Sequence, residues 1–445
     1  SKYTNQELYD WMISQISGVF FQSYQMAYDL AKRAERAYQF ERGLSTSNYI
    51  KFGYWDSLRS GLLSGEQLYL DLKRLELAYL DQNAREYEIS KQISLAQLNP
   101  LALISLKETG TCTVTLPETF FDIDYPGHYM RRIKNVALTI PCVAGPYTSI
   151  NCTLTLQSSK IRLNNTLLGG QQDPYVEQSG GNDSRFAYNF GATGAIATSS
   201  AQNDSGMFEV NFRDERYLPF EGNGAVSSWQ ITLPQDCNAF DFETISDVII
   251  RLNYTAREGG SQLSQAARQT RNNALAGTQQ MQLRLFSAKH EFFNEWYRFL
   301  NPTDTATSQA MPLALSIERF PFLFRGKQLT IHAMQMFLKL NDAFASNYYG
   351  KGQPLAFSLA QAGSTTPFTA GFKLEGSPVA GIAYAEPLNG QTGSIGSWTV
   401  TLQNTDIAKL DSALQQVVTV NGQTYTHLNP NAIEDLWIVC QYSLK

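Results

Sequence analysis

Apolar and small residues recur at alternating steps of four and three along two stretches of the first 107 residues. The first series is Tyr9, Ile13, Ile16, Phe20, Ser23, Ala27, Leu30, Ala34 and Ala37, and the second is Leu68, Leu72, Leu75, Tyr79, Gln82, Glu86, Ile89, Ile93 and Ala96. This 3.5-residue period is typical of left-handed coiled packing, and no proline precedes Pro100. It predicts two long helices, each with a seam of roughly 43 Å, that pair as a coiled-coil-like hairpin through residues 43–65.

The two seams differ in the residues that they carry. The first ends in alanines, which let helices approach closely, whereas the second contains Gln82 and Glu86, which a dry core disfavours. Two interpretations stay open: an ordinary amphipathic hairpin of a globular domain, or helices packed around a wet, symmetric axis. The seam side chains expected to make the contacts are Ile13, Ile16, Phe20, Leu72, Leu75 and Tyr79.

Strand-like alternation replaces the helical period after Pro100. It occurs at 111–116, 133–140, 150–156, 207–212, 228–233 and 248–254, and it returns after residue 302. Many strands without alternating helices favour antiparallel sandwiches. Residues 164–206 are rich in Gly, Asn and Ser and predict long loops.

These patterns of helical periodicity and strand-like alternation divide the chain into four parts. The predicted domains are a helical stalk (1–107), a first β-sandwich module (108–260), a connector (261–301) and a second β-sandwich module (302–445). Within the connector we expect a polar helix over 262–276, a strand over 281–286 and an aromatic helix over 291–300. The predicted fold is therefore α+β and multidomain, with a long coiled-coil-like helical hairpin followed by two antiparallel β-sandwich modules.

The β-rich part contains an internal repeat. Gly224–Leu233 resembles Gly393–Leu402, and Ile245–Tyr254 resembles Ile433–Tyr442, in the same order along the chain. In the first pair, Trp229 aligns with Trp398, and each shares its strand face with apolar residues two and four positions later. We expect two similar modules, each with one of these tryptophans as a core anchor, although short strand motifs also match by chance.

Composition and motifs argue against nucleic-acid binding and catalysis. The formal net charge is −5, only 17% of residues are charged, and no block of Lys and Arg stands out, whereas nucleic-acid binding needs a dense basic face. The sequence lacks the common nucleophile, phosphate-loop, dinucleotide and zinc-hydrolase motifs, and its four histidines are not at metal-ligand spacing. We therefore expect no enzyme activity, no catalytic residue, no cofactor and no metal site.

Two acidic or charged segments have alternative interpretations. Asp122 and Asp124 fit a paired-acid or calcium role, but a turn whose aspartates bond their own backbone is favoured. The charged loop 213–221 fits either a binding edge or an internal ion-pair network. Its residues Arg213, Arg216 and Glu221 are the candidates for docking a partner.

Several long motifs together resemble the C-terminal region of the Tc toxin A subunit, TcA. They are Leu8–Met12, Tyr24–Glu35, Pro126–Asn135, Phe212–Gly222, Ile245–Val248 and Tyr254–Gly260. The resemblance runs over nearly the whole chain. It implies channel helices in 1–107 and a TcB-binding domain in 108–445.

The resemblance also implies a function. TcA subunits are homopentamers of secreted insecticidal bacterial toxins, with an α-helical channel that enters the host membrane, and the TcB-binding domain holds the TcB–TcC cocoon. Because the chain begins at Ser1 without a methionine, we expect a fragment. The resemblance implies that the membrane-inserting hairpin lies upstream of it. We thus expect a channel-stalk and cocoon-docking module that passes a toxic enzyme into the host cell. The alternative is a carbohydrate-binding β-sandwich protein with a helical oligomerisation stalk.

Overall fold

The computed structural model combines a helical region with several antiparallel sheets. The described residues are 4–44, 46–56, 61–82, 85–145, 148, 150–169, 173–178, 183–190, 195–200, 220–276, 282–350 and 354–444. The coarse prediction of a mixed α+β fold is confirmed.

Two helices open the chain, α1 (Asn5–Arg42) and α2 (Leu62–Asp81). Thr4 and Glu7 form a reciprocal capping box at the start of α1, and Gly43 ends that helix in the left-handed conformation that glycine adopts most easily. Among the described residues, no helix carries an apolar stretch long enough to cross a membrane.

The first module (residues 87–258) and the α6 helix follow. Their helices are α3 (Leu95–Leu98), α4 (Pro100–Thr109), α5 (Glu118–Asp122) and α6 (Gly260–Ala276), and their strands are β1 (Tyr87–Ser94), β2 (Thr111–Leu116), β3 (His128–Thr139), β4 (Ile150–Arg162), β5 (Phe186–Phe190), β6 (Ala195–Ser200), β7 (Val226–Thr232) and β8 (Ile249–Glu258). Short 3-10 helices lie at Gln235–Cys237 and Phe242–Thr244.

The second module (residues 282–444) contains the remaining elements. Its helices are α7 (Ala288–Glu291), α8 (Phe293–Leu300), α9 (Asp342–Gly350) and α10 (Asn404–Ile407), and its strands are β9 (Gln282–Ser287), β10 (Ser308–Leu315), β11 (Leu329–Leu340), β12 (Ala356–Gln361), β13 (Phe368–Gly371), β14 (Ala383–Ser394), β15 (Gly396–Gln403), β16 (Gln415–Val420), β17 (Gln423–Leu428) and β18 (Ile433–Leu444). Three 3-10 turns lie at Ile317–Arg319, Phe322–Phe324 and Ser412–Leu414.

The second helix ends at Asp81, so the prediction that it continues towards residue 96 is wrong. Ile89 and Ile93 lie on β1, which pairs antiparallel with β8, and their side chains face the first module's core. A step of four residues keeps one face of a helix and also one face of a strand, so these two positions fit both patterns. Ala96 lies on α3 in the same core, and residues 87–107 therefore pack with the first module rather than with a helical stalk.

The helices α1 and α2 pack through a different stripe of α1 from the one predicted. Tyr24, Tyr28 and Ala31 of α1 contact the cluster that holds Leu68 and Leu72 of α2. Tyr79 of α2 lies 6.4 Å, ring to ring, from Tyr38 of α1. The α2 half of the predicted seam therefore faces α1.

The α1 half of the predicted contact is wrong. Ile13, Ile16 and Phe20 are exposed, and so are Ala27, Ala34 and Ala37 farther along the series. Leu75 of α2 is buried and Leu72 is half-buried. The 3.5-residue period of α1 therefore marks a face that this chain does not cover with α2.

The sheets of the two modules repeat one strand order. In the first module, sheet A has the strand order β1-β8-β3, and sheet B has the order β2-β7-β4-β5, with β6 also paired to β4. In the second module, sheet C has the order β14-β11-β18-β9, and sheet D has the order β10-β15-β12-β13. The strands β16 and β17 form a separate two-stranded sheet. Sheet A corresponds to β9, β18 and β11 of sheet C, and sheet B corresponds to sheet D. Trp229 on β7 and Trp398 on β15 are both fully buried at corresponding positions.

Two further pairs of contacts recur between the modules. Phe121 meets Tyr254 edge to face with ring centroids 5.3 Å apart, and Phe320 meets Tyr442 in the same way at 4.9 Å. Each arrangement places an aromatic residue just after the second strand against the tyrosine of the last strand. The repeat in the sequence therefore corresponds to a repeat of packing.

Candidate docking surfaces

A long stretch of α1 is uncharged and largely exposed. Residues 11–28 contain no Asp, Glu, Lys or Arg. The large apolar side chains exposed here are Trp11, Met12, Ile13, Ile16, Val19, Phe20, Phe21 and Met26. Exposed apolar patches of this kind mark interaction sites.

A buried carboxylate in the C-terminal half of α1, that of Glu35, binds the loop that follows the helix. Glu35 accepts hydrogen bonds from the Ser47 hydroxyl at 2.9 Å and from the backbone amide of Ile50 at 3.2 Å, and Lys32 pairs with it at 2.9 Å. Burial disfavours the charged form, but these hydrogen bonds outweigh it and lower the pKa of Glu35. The loop after α1 is therefore tied back onto the helix.

The end of α1 rests on the turn that carries Glu221. A Cβ added at Gly222 would lie 2.6 Å from Cε1 of Phe40, near the end of α1. Glu221 is exposed beside this contact, whereas Arg213 and Arg216 lie outside the described residues. The described part of the candidate loop thus lies at the helical end of the first module.

A buried ion cluster joins α5, β3 and β4. Arg131, only 3% exposed, donates to the Asp122 carboxylate at 2.6 Å and lies 3.5 Å from Glu118, while Arg162 donates to Glu118 at 2.9 Å. The hydroxyl of Tyr175 also donates to Asp122. Two buried cations and two buried carboxylates balance each other, as burial of charge requires.

Asp122 and Asp124 have separate environments in the structure. Asp122 accepts from the backbone amide of Gly127 at 2.9 Å, as the favoured turn interpretation expects. Asp124 instead pairs with Lys91 at 2.5 Å, and that lysine lies 4.1 Å from the Phe120 ring centroid. The two carboxylates therefore have different cationic partners. Among the described residues, no group of three His, Cys, Asp or Glu side chains is placed to hold a metal ion.

The buried ion cluster of Arg131, Arg162, Glu118 and Asp122 could not be predicted from local sequence patterns. Glu118 and Arg162 are separated by 44 residues, and Asp122 and Tyr175 by 53. No local spacing links positions so far apart. The one available signal was the density of charge in the 118–135 segment, which does not indicate pairing.

The two modules meet at a junction of buried and half-buried charges. Glu108 of the first module pairs with Lys339 of the second at 2.6 Å. Lys107 lies 5.6 Å from the Trp437 ring centroid and donates to the backbone carbonyl of Glu243 at 3.2 Å. Burial raises the pKa of Glu243 to about 7, against the opposing effect of Lys107.

The junction predicts a pH dependence of stability. Because the pKa of Glu243 rises from 4.5 to about 7 on folding, this carboxyl group binds its proton more tightly in the folded chain. Its contribution to the free energy of unfolding is therefore fully present below pH 4.5 and is lost as the pH rises through about 7. Glu243→Gln should remove this loss. Urea midpoints from about pH 5 to pH 7.5 should therefore fall less in the variant than in the wild type. An exposed control, Glu221→Gln, should keep the wild-type slope, and an unchanged slope in Glu243→Gln would contradict the prediction.

Comparisons with known proteins agree on one family. Residues 1–256 match the family described as the Tc toxin complex TcA C-terminal TcB-binding domain. The match ends within β8, so the second module lies outside it, although the sequence motifs suggested a resemblance over nearly the whole chain. The toxin subunit YenA2 of Yersinia entomophaga is 35% identical over 271 residues, which are 60% of this chain and 20% of that protein. The chain thus spans about a fifth of this curated relative.

Two solved structures are also similar to part of the chain. The cryo-EM structure of Morganella morganii TcdA4 is 25% identical, covers 57% of this chain and 11% of its own, and gives a TM-score of 0.41. That of Yersinia pseudotuberculosis TcaA-TcaB is 25% identical, covers 58% of this chain and 14% of its own, and gives the same TM-score of 0.41. Since the family match over residues 1–256 includes more than half of the sequence, the chain belongs to the Tc toxin complex TcA family, whose C-terminal domain binds TcB.

Proposed function

We propose that the chain is the C-terminal part of a secreted TcA subunit, which contributes helices to a homopentameric translocation channel and docks the TcB–TcC cocoon. The match over residues 1–256 to the TcB-binding family carries this proposal. In this role the chain itself performs no catalysis; it positions a toxic enzyme for passage into the host cell. Contact with the host membrane would be made by parts of the subunit outside this sequence.

The exposed face of α1 supports the channel half of the proposal. A 38-residue helix with an uncharged stretch over 11–28 needs further apolar surface to cover it in water. Neighbouring copies of α1 would supply that surface through the seam of Ile13, Ile16 and Phe20. The α2 residues Leu72, Leu75 and Tyr79 would hold each helix to its own chain.

Self-association follows as a testable prediction. The purified chain should have the solution mass of a pentamer, and the variant Ile13→Ser with Ile16→Ser and Phe20→Ser should shift the mass towards the monomer, because each change removes apolar contact area. Light scattering after size exclusion measures the mass. Val143→Ser with Val417→Ser, both exposed apolar positions outside α1, should leave it unchanged. A wild-type monomer, or a pentamer that the triple variant leaves intact, would contradict this role of α1.

The repeated modules support the docking half. We propose that each pair of sheets is an antiparallel β-sandwich anchored by Trp229 or Trp398, and that the two arose by duplication. Arg213, Arg216 and Glu221 stay candidates for partner contacts, because charged side chains at the rim of an interface guide association. A pentameric ring would present each weak patch in several copies and so raise the total affinity.

Capture of the matching TcB–TcC pair tests the docking proposal. The immobilised chain should retain that pair from a purified solution and should not retain an unrelated β-rich protein of similar size. Retention by a full-length A subunit under conditions where this chain retains nothing would overturn the assignment of docking to this part of the subunit.

A further inference from the structure

Corresponding helix pairs follow the first strand of each module. The pair α3–α4 follows β1, and α7–α8 follows β9. Asp247 accepts from the Ser94 hydroxyl at 2.5 Å and from the amide of Ala96 at 2.9 Å. In the second module, Asp435 accepts from Ser287 at 2.5 Å and from the amide of Lys289 at 3.0 Å. The two pairs are therefore fixed to their sheets in the same way.

The pair α3–α4 is covered on its outer side by the second module. Both helices lie against β9. The outer face of sheet C carries Leu285, Trp437 and Val439, which belong to the same buried cluster as the first module's core. Pro100 and Ile104 of α4 are buried accordingly. An apolar strand face is thus the surface that covers this kind of helix pair within the chain.

The equivalent outer side of α8 is open. The two helix pairs can be aligned at the equivalent serines Ser94 and Ser287. Phe293 then corresponds to Pro100, and Tyr297 corresponds to Ile104. Phe293 and Tyr297 are 66% and 62% exposed. They lie four residues apart, so their side chains are neighbours on one helix face. The adjoining side of α8 is buried and fixes the helix in the core through Trp296, Phe299 and Leu300.

A segment beside α7 carries a further exposed aromatic residue. Arg319 donates to the backbone carbonyl of Glu291 at 3.3 Å and lies 4.3 Å from the Phe292 ring centroid. The segment that contains Arg319 is thereby held beside α7, and it exposes Phe322. Exposed aromatic side chains therefore lie both on α8 and on the segment held beside α7.

Within the described residues, a second copy of the chain offers no open apolar sheet face that corresponds to sheet C. Its sheet C is already covered by its own α3–α4. Its sheet A, the counterpart of sheet C, presents Arg251 and Asn253 where sheet C has Val439 and Gln441, and the edge carries the ion pair between Arg257 and Glu86 at 2.9 Å. Burying these polar groups against two aromatic rings would be unfavourable.

We propose that the α8 aromatic face, formed by Phe293 and Tyr297, is a docking surface for an apolar β-strand face of the TcB subunit. The partner sheet would cover α8 in the way that sheet C covers α4. This inference rests on the proposed function, since it names the surface by which the second module takes part in cocoon docking. Aromatic residues are the side chains most often responsible for binding energy at such contacts.

The test uses the whole chain and the purified TcB–TcC pair. The double variant Phe293→Ser with Tyr297→Ser should raise the dissociation constant by at least about tenfold. The control variant Val143→Ser with Val417→Ser should leave it unchanged. Both pairs of positions are exposed, so urea midpoints should stay at the wild-type value and show that folding is intact. Amides of 293–300 should also exchange more slowly with solvent in the wild-type complex than in the free chain.

The possible outcomes separate this inference from the function on which it rests. Tight binding by the wild type and equally tight binding by Phe293→Ser with Tyr297→Ser would overturn the α8 surface and leave cocoon docking standing. No binding by the wild type would overturn both. Loss of self-association in the α8 variant, with TcB–TcC binding unchanged, would assign the surface to a second copy and contradict the inference.

Discussion

Replacing Trp229 by alanine should lower the free energy of unfolding by about 3–5 kcal/mol, and Trp398→Ala should have an effect of similar size. Both side chains are fully buried. The Trp229 indole N–H donates to the Ser227 hydroxyl at 2.8 Å, and the ring meets Phe220 edge to face at 4.8 Å. The Trp398 indole donates to the Ser394 carbonyl at 3.0 Å. Each substitution would leave a large cavity and remove the hydrogen bond of the indole.

Urea unfolding followed by circular dichroism measures both losses. Phe52→Ala is the control, because Phe52 is an aromatic residue outside α1 that is 93% exposed, and exposed substitutions usually change stability by less than about 0.5 kcal/mol. Equal effects of Trp229→Ala and Trp398→Ala would support the equivalence of the two modules. A loss under about 1 kcal/mol at either position would contradict its role as a core anchor.

Arg131→Met should also cost about 3–5 kcal/mol, because it leaves the Asp122 and Glu118 carboxylates buried without their shared cation. Arg131 and Asp122 are 3% and 2% exposed, so water cannot readily replace the lost partner. Lys134→Met is the control on the same strand. Its ion pair with Glu88 is exposed, and such pairs contribute only about 0–1 kcal/mol.

The origin of the Arg131 effect can be tested by removing a carboxylate as well. Arg131→Met combined with Asp122→Asn should recover part of the lost stability, because the buried charges that remain, Arg162 and Glu118, compensate each other. The two changes should therefore be less than additive. Equal losses for Arg131→Met and Lys134→Met would show that the buried cluster is not coupled as the distances suggest.

The sequence contained much of the β architecture. The alternation at 111–116 predicted β2 with its bounds Thr111–Leu116, and the Trp229 and Trp398 motifs predicted corresponding strands. These predictions depend on local signals, namely side-chain alternation and repeated motifs. Local signals survive in the fold wherever one face of a strand is buried.

The helical region shows where local signals are insufficient. The i+4 step between Ile89 and Ile93 fits a helix and a strand equally, and only the pairing of β1 with β8, more than 150 residues away, decides between them. The seam of Ile13, Ile16 and Phe20 marks an apolar face but does not say which chain covers it. The Arg131 cluster depends wholly on tertiary contacts and was not predicted.

The mass of the complex between the purified chain and its TcB–TcC pair tests the central proposal most directly. Native mass spectrometry or light scattering measures this mass without labels. The proposed function predicts five copies of the chain for each TcB–TcC pair, because a homopentameric channel stalk would present one ring of docking modules to one cocoon. A complex with a single copy of the chain, or no complex between the two components, would contradict it.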